Sequence, residues 1–388
     1  MAFFQQPKTN SQEPRANSQR PTAKGQQPKT NSQRPTANSQ RPTANSQKQR
    51  KMKHQILFIW KVEKNLQQHL TEELKDCNVD LIFPEKSDEN FFLEMAPRID
   101  VIVGWRASIE LINKAVNLKL LINPGAGVYI LKDRFALLKD KNIVLVNGHG
   151  NAYYTAQHIV AMLLSVCNKI TPHHQWMLEG KWRLGDKEAK SLPLKSRKIG
   201  LLGYGHINKY VHQFLAPFQS EFHILRKKDS KELEYDYPSK VTSYTISSKE
   251  EFLQKVDVLI IAMPLTKATE NFIDAKELKL LGENGIVINA GRGKIVNEEA
   301  LYNALKNKDI DCAAIDVWYD YKPEPDEADR KFPYQHPFYE LDNILLSPHR
   351  AASPMDSLDR WNDVIENIKR CADGKTEFLN VVDFEEGY

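Results

Sequence analysis

The body of the chain alternates between two hydrophobic periods. Short apolar runs, HQILFIW from His54, then VDLIF, DVIVGW, LKLLIN and NIVLVN, read as strands buried on both faces. Between them Leu66, Leu70 and Leu74 recur at the helical interval, and NFFLEMA and SIELINKAV read as further helices. Strands alternating with helices predict a parallel sheet covered on both sides. The pattern completes one module over about residues 53–151.

A long apolar helix, NAYYTAQHIVAMLLSVCNKI, follows, suited to joining two domains or to a subunit interface. After the polar loop EGKWRLGDKEAK comes KIGLLGYGHINKYVHQFLAPFQSEFHILRKK, which reads strand, glycine turn, helix, strand. The strands KVTSYTI, DVLIIAM, GIVINAG, CAAIDVW and NILLSPH continue the alternation, with helical stretches such as NEEALYNALKN. This predicts a second module over about residues 152–349. Ser353 to Ala372 reads as a helix that packs back on the first module, so that residues 350–388 complete it.

Neither period occurs in residues 1–52. Proline stands at 7, 14, 21, 28, 35 and 42 in a seven-residue repeat close to RPTANSQ. One proline per heptad without apolar seam positions forbids a coiled coil. So polar a composition cannot offset its ordering entropy, and a disordered tail is expected.

Charge divides along the same boundary. Residues 1–52 hold ten Lys/Arg against Glu13 alone, a net +9 within a chain total of +4, which leaves −5 for the remainder. A mildly acidic body speaks against a nucleic-acid surface there. No apolar run approaches 18 residues, which argues against a membrane span. MAFFQQPKTN lacks the apolar stretch of a secretory leader. Cys77, Cys167, Cys312 and Cys371 form no metal or redox spacing, and four unpatterned thiols suit a cytoplasmic location.

The glycine turn carries the first chemistry. Gly203 and Gly205 permit a tight turn and close approach of a pyrophosphate to the helix N-terminus, with Asn208 at the third glycine position. Arg226 lies 23 residues after Gly203, about where an acid usually holds the adenosine ribose. Arg226, Lys227 and Lys228 would instead grip a 2′-phosphate, so NADP(H) is expected as the preferred cofactor, with NAD(H) as the alternative. INAGRG places Arg292 at a strand end, where a guanidinium can hold a carboxylate in a fork and polarise its neighbour. Asp316 in IDVW could orient a nicotinamide amide, and His349 in SPHRAA is a proton donor at another strand end.

The order GYGHI, MPLTKAT, INAGRG, DVW, SPHRAA resembles the D-isomer-specific 2-hydroxyacid dehydrogenase family over roughly residues 53–388. The resemblance implies an α/β fold in which a Rossmann cofactor domain is inserted into a flavodoxin-like substrate domain, and a homodimer formed mainly through the cofactor domain. It implies reduction of a small 2-oxo acid of the glyoxylate or hydroxypyruvate kind to the D-2-hydroxy acid. Arg292 would bind the substrate carboxylate, assisted by the amides of Ala126 and Gly127 in NPGAGV, and His349 would donate the proton. His206 and Ile207 would lie at the pyrophosphate, with Thr155, Pro264, Thr269, Ala290 and Asp316 along the cofactor. No metal is implied.

One departure concerns the partner of His349. The family usually places a glutamate five residues after the DV aspartate, to hold the histidine protonated, and here that position is Tyr321. Glu324 swinging in from DYKPEPDE is the preferred reading. Asp320 as substitute, or no carboxylate as in the related formate dehydrogenases, are the alternatives. For function as a whole, the alternatives are a non-catalytic dinucleotide sensor resembling the corepressors of this fold, and a formate dehydrogenase.

Overall fold

The structure, a computed structural model, describes residues 52–183, 190–227, 235–352 and 357–388. The expectation for the tail lies outside the described residues save for Met52, as does Lys228.

Five parallel strands form the first sheet: β1 (His54–Phe58), β2 (Val79–Ile82), β3 (Val101–Val103), β4 (Leu120–Asn123) and β5 (Val144–Asn147). Their order, β2-β1-β3-β4-β5, is that of a flavodoxin-like sheet. The apolar runs have no polar alternation because both faces are covered. Ile56, Phe58, Val101, Val103 and Ile122 face one way and meet Leu66, Leu70 and Leu74. Leu57, Ile102, Leu121 and Leu145 face the other and meet Leu111, Ile112 and Leu138.

The first face is finished from the far end of the chain. Trp361, Val364, Ile365 and Ile368 of the C-terminal segment join the same core. Burying three β-branched side chains contributes on the order of 5–9 kcal/mol before the entropy of ordering them is set against it. The helix runs Asn362–Ala372, after a 3-10 turn Asp359–Trp361, and so starts later than the sequence pattern suggests. Its entry is set by Ser357, whose hydroxyl accepts from the Asp359 amide at 3.2 Å, and by Trp361 stacking on Trp60 at 5.6 Å. Residues 353–356 of the expected helix lie outside the described residues. Beyond the helix, the Val382 amide donates to Leu145 at 2.9 Å and Val381 bridges Val146, which covers the edge of β5.

Seven parallel strands form the second sheet: β6 (Lys198–Leu202), β7 (Glu221–Arg226), β8 (Lys240–Thr245), β9 (Val258–Ile261), β10 (Ile286–Asn289), β11 (Cys312–Ile315) and β12 (Ile344–Leu346). The order β12-β11-β10-β9-β6-β7-β8 is a Rossmann arrangement with a seventh strand, and it reverses between β6 and β9. Because the strands are parallel, the loops after β6, β9, β10, β11 and β12 all leave from one edge of the sheet.

The linking helix Ala152–Cys167 lays Ala156, Ile159, Met162 and Leu163 on this sheet, beside Val211 and Leu215 of the helix His206–Leu215. The next helix, Ile170–Leu178, buries none of its residues and exposes Ile170, Met177 and Leu178, with Trp182 exposed just beyond it.

Candidate functional site

Gly203 has φ +83°, and a Cβ there would press on the Met263 side chain at 3.1 Å, so the turn itself requires glycine. Gly205 is different. Its φ is −87°, and a Cβ there would meet no atom within 4 Å. The protein's own packing does not call for this glycine, whereas a ligand lying against the helix N-terminus would. Asn208, at the third glycine position, is fully buried and donates from Nδ2 to the carbonyls of Gly203 at 2.7 Å and Leu202 at 3.3 Å. It ties the turn to the helix, a function that a departure from the glycine pattern did not announce. Ile207 packs against the core behind the turn.

His206 opens the helix, and its ring stacks on His149 at 4.3 Å and 13°. Burial, and then His206, push the His149 imidazole down to about 4. Burial also lowers His206, against the pull of Asp363. The His149 amide donates to Asp363 at 2.7 Å. These groups line a cavity of about 390 Å³ together with Tyr153 and Tyr210. His149 comes from the first sheet and was not singled out by any motif.

Arg226 closes β7 and is partly buried, near enough to the Tyr204 phenol to oppose the upward push of burial on it. The Tyr204 hydroxyl meets His212 Nδ1 at 2.7 Å, and His212 Nε2 meets Ser239 at 2.7 Å. The Lys227 ammonium is engaged in an ion pair with Glu386 from the C-terminal segment, which raises its pKa. So one of the charges expected to face a phosphate already has an acid beside it.

Arg292 follows β10 in an extended conformation, and its Nη1 donates to the Gly291 carbonyl at 2.7 Å. Asn289 fixes this turn by donating to the Arg292 carbonyl at 3.1 Å and accepting from the Gly291 amide at 3.1 Å. The guanidinium reaches Gly127 of the first sheet's NPGAGV loop so closely that a Cβ there would collide with Nη2. In that loop Asn147 donates to the Ala126 carbonyl at 2.8 Å, and Asn123 donates to the carbonyls of Gly125 and Gly127. Among the described residues, the amides of Ala126 and Gly127 donate to no protein acceptor, and Arg292 makes no ion pair. A partly buried guanidinium and two backbone donors thus come together without an acid.

His349 follows β12 with φ +56°, a left-handed conformation that costs a non-glycine residue about 1–3 kcal/mol and must be held from outside. Asp316, almost fully buried, does the holding. Its Oδ1 accepts from the Ser347 hydroxyl and from the Arg350 amide at 2.8 Å, and its Oδ2 accepts from the Ala351 amide at 3.1 Å. Trp318 Nε1 donates to the Ser347 carbonyl at 2.8 Å, and His158 Nε2 lies 3.0 Å from the Ser347 hydroxyl. Asp316 was expected to face a nicotinamide amide. Its oxygens hold the loop that carries His349.

The expectation for Glu324 is corrected. Glu324 is exposed, and the group on His349 Nδ1 is the Tyr321 hydroxyl at 2.9 Å. Asp320, the other acid considered, accepts from the Lys322 amide at 2.8 Å. The physical reason is a short turn after β11: the Trp318 amide donates to the Tyr321 hydroxyl at 3.3 Å, which folds Tyr321 back toward His349. Burial lowers the His349 imidazole, Asp316 opposes this, and Arg292 and Arg350 add to it.

Two of the remaining expected cofactor residues, Thr155 and Thr269, carry hydroxyls bonded within their own segments. The Thr155 hydroxyl donates to the Asn151 carbonyl at 3.0 Å, and Thr269 donates to the Pro264 carbonyl at 2.8 Å while accepting from the Thr266 amide at 2.7 Å. Ala290 is buried at the end of β10. Among the described residues no cluster of three His, Cys, Asp or Glu is placed to hold a metal.

Residues 160–351 match the family described as D-isomer specific 2-hydroxyacid dehydrogenase, NAD binding domain. A D-3-phosphoglycerate dehydrogenase of Archaeoglobus fulgidus is 30% identical over 283 residues, 72% of this chain and 50% of that protein. A glyoxylate/hydroxypyruvate reductase of Arabidopsis thaliana is 28% identical over 306 residues, 77% of this chain and 88% of that one. Among solved structures, an NADPH-dependent glyoxylate/hydroxypyruvate reductase from Sinorhizobium meliloti, in complex with citrate, has a TM-score of 0.66 at 23% identity and covers 86% of this chain and 98% of its own. The chain spans about half the length of the Archaeoglobus protein it matches. With the glycine turn, the arginine after β10 and the histidine after β12 in one matching order, it belongs to the D-isomer specific 2-hydroxyacid dehydrogenase family.

Proposed function

We propose that the protein reduces a small 2-oxo acid to the D-2-hydroxy acid with a nicotinamide cofactor, NADPH being preferred. One observation carries this reading: Arg292, partly buried and without an acid among the described residues, lies against a loop whose Ala126 and Gly127 amides are also without protein acceptors. Such a donor set is complementary to a carboxylate. The first sheet with the closing helix forms the substrate side, and the second sheet the cofactor side. The space before Gly205 and the helix N-terminus behind it fit a pyrophosphate, and Arg226 fits the ribose end. The bound nicotinamide supplies hydride. Arg292 anchors the carboxylate and polarises the adjacent carbonyl, and His349 gives its Nε2 proton to the carbonyl oxygen. Closure of the cleft between the two sheets excludes water.

The relatives named above are a phosphoglycerate dehydrogenase and glyoxylate/hydroxypyruvate reductases, which supports a small polar 2-oxo acid. A consumption screen of NADPH and NADH over glyoxylate, hydroxypyruvate, pyruvate and branched 2-oxo acids, with formate oxidation as the control arm, tests the reading. Turnover of none of the 2-oxo acids overturns it. In the active pairing, His349→Ala lowers kcat about 10²–10⁴-fold with cofactor binding retained. The exposed apolar helix Ile170–Leu178 supports a homodimer, whose mass light scattering on the full chain reads. A cytoplasmic setting fits the unpaired thiols, and fractionation of the expressing cells checks it.

A further inference from the structure

The position at which a carboxylate was expected beside His349 holds Tyr321. Its hydroxyl is 2.9 Å from Nδ1, and it also accepts from the Trp318 amide at 3.3 Å. We propose that Tyr321 is the positioning partner of His349, and that the protein works with an uncharged hydroxyl where a carboxylate would pair with the imidazolium. The inference rests on the reading of His349 as the proton donor.

The geometry assigns the protons. In the form that donates, both ring nitrogens carry hydrogen, so Nδ1–H donates to the Tyr321 oxygen. That oxygen has a second lone pair for the Trp318 amide. Tyr321 is 56% exposed, which leaves solvent to take its own O–H. As hydride reaches the carbonyl carbon, the C=O π pair moves onto oxygen and takes the proton from Nε2. The imidazolium becomes neutral imidazole, Nδ1–H stays on Tyr321, and one proton taken up from solution restores the Nε2 proton. The hydroxyl fixes the ring orientation and the tautomer as a carboxylate would, but adds no charge.

The charges around the ring follow from the elements packed on it. Asp316 at the end of β11 favours the imidazolium, while Arg292 after β10 and Arg350 on the same loop oppose it. Partial desolvation raises the Tyr321 phenol against the Trp318 amide and Arg292, so it stays neutral across the working range. The sign is then fixed. His349 holds its proton below a pKa that lies under the ordinary imidazole value of about 6.5. Reduction, which needs the imidazolium, fades as pH rises through that lowered value. Oxidation, which needs neutral imidazole, is already supported at neutral pH.

The test is a histidine NMR titration of the full chain, with the His349 resonance identified by its loss in His349→Asn. It is run on wild type, Tyr321→Phe and Tyr321→Glu, alongside pH profiles of kcat/KM for reduction. Tyr321→Glu places a charge on Nδ1 and raises the His349 midpoint by about one unit or more. The alkaline limit of reduction moves with it, for about a tenfold gain at pH values above both midpoints. Tyr321→Phe removes the acceptor, leaves the midpoint at or below wild type, and lowers kcat without raising KM. A midpoint unmoved by Tyr321→Glu overturns the proposal, because the side chain then does not face Nδ1. A wild-type kcat in Tyr321→Phe overturns it as well. If the midpoint shifts as stated but no 2-oxo acid is turned over, the proposed reaction fails while the Tyr321 assignment stands.

Discussion

Gly127→Ala separates the substrate site from the fold more sharply than removal of a catalytic group. Gly127 has no positive φ, so alanine keeps the backbone, and the lost freedom of the unfolded chain favours the variant by about 0.4–1 kcal/mol. The added Cβ, however, would overlap Arg292 Nη2 and stand 3.4 Å from Cζ. Apolar and polar heavy atoms settle near about 3.5 Å, so the guanidinium end must retreat by roughly 1 Å. It can do so, because it is the far end of a flexible side chain, held here by the Nη1 bond to the Gly291 carbonyl. A displacement of roughly 1 Å in a positioning group costs on the order of 10²-fold in rate. The expected result is therefore a variant with an unchanged or slightly raised Tm, normal NADPH binding by fluorescence quenching, and kcat/KM for the preferred 2-oxo acid reduced about 100-fold. Wild-type kcat/KM in a well-folded Gly127→Ala protein would refute the reasoning, since it would mean that Arg292 does not lie against this loop during turnover.

Two further outcomes follow from the cofactor side. Glu386→Gln frees the Lys227 ammonium and should widen the preference for NADPH over NADH about two- to fivefold at low salt, an effect that shrinks as ionic strength rises; a ratio of kcat/KM values unchanged by the substitution removes Lys227 from the ribose site. Asn208→Ala strips the Gly203 carbonyl of its side-chain donor, while the Leu202 carbonyl keeps the Ala262 amide at 3.3 Å, and should cost about 1–3 kcal/mol in urea unfolding, with weaker binding of both cofactors.

Much of this architecture is legible in the hydrophobic pattern, and the reasons are local. Leu66, Leu70 and Leu74 share one helical face, and all three are buried where that spacing puts them. The runs at β3, β4 and β9 lack alternation because both faces are covered, so their apolar length alone marks them as inner strands. Arg292 and His349 stand out since each follows such a run directly. What the pattern hides depends on contacts between distant segments. The ion pair of Lys227 with Glu386 spans 159 residues and leaves no local trace. Asn208 counts as a missing glycine until its amide is seen on two carbonyls. Tyr321 was weighed only as the absence of a glutamate, because spacing says which residue stands at a position and not which atoms it offers. The stack of His149 on His206 joins the loop after β5 to the turn after β6, and neither ring belongs to a repeating pattern.

The return of the chain to its first sheet has a consequence for synthesis. Leu66, Leu70, Val103 and Val146 wait for Trp361, Val364, Ile365 and Ile368, and the His149 amide waits for an acid 214 residues downstream. The second sheet draws its strands from residues between 198 and 346, so it can condense while the last part of the chain is still being translated. The first sheet cannot, and until the helix Asn362–Ala372 has emerged, the part of its apolar face that Leu66, Leu70 and Leu74 leave uncovered is open to the cell. A nascent chain stalled before Asn362 is therefore a natural client for a chaperone that binds apolar surface, and a truncation there should yield aggregates even though most of the site residues are already present.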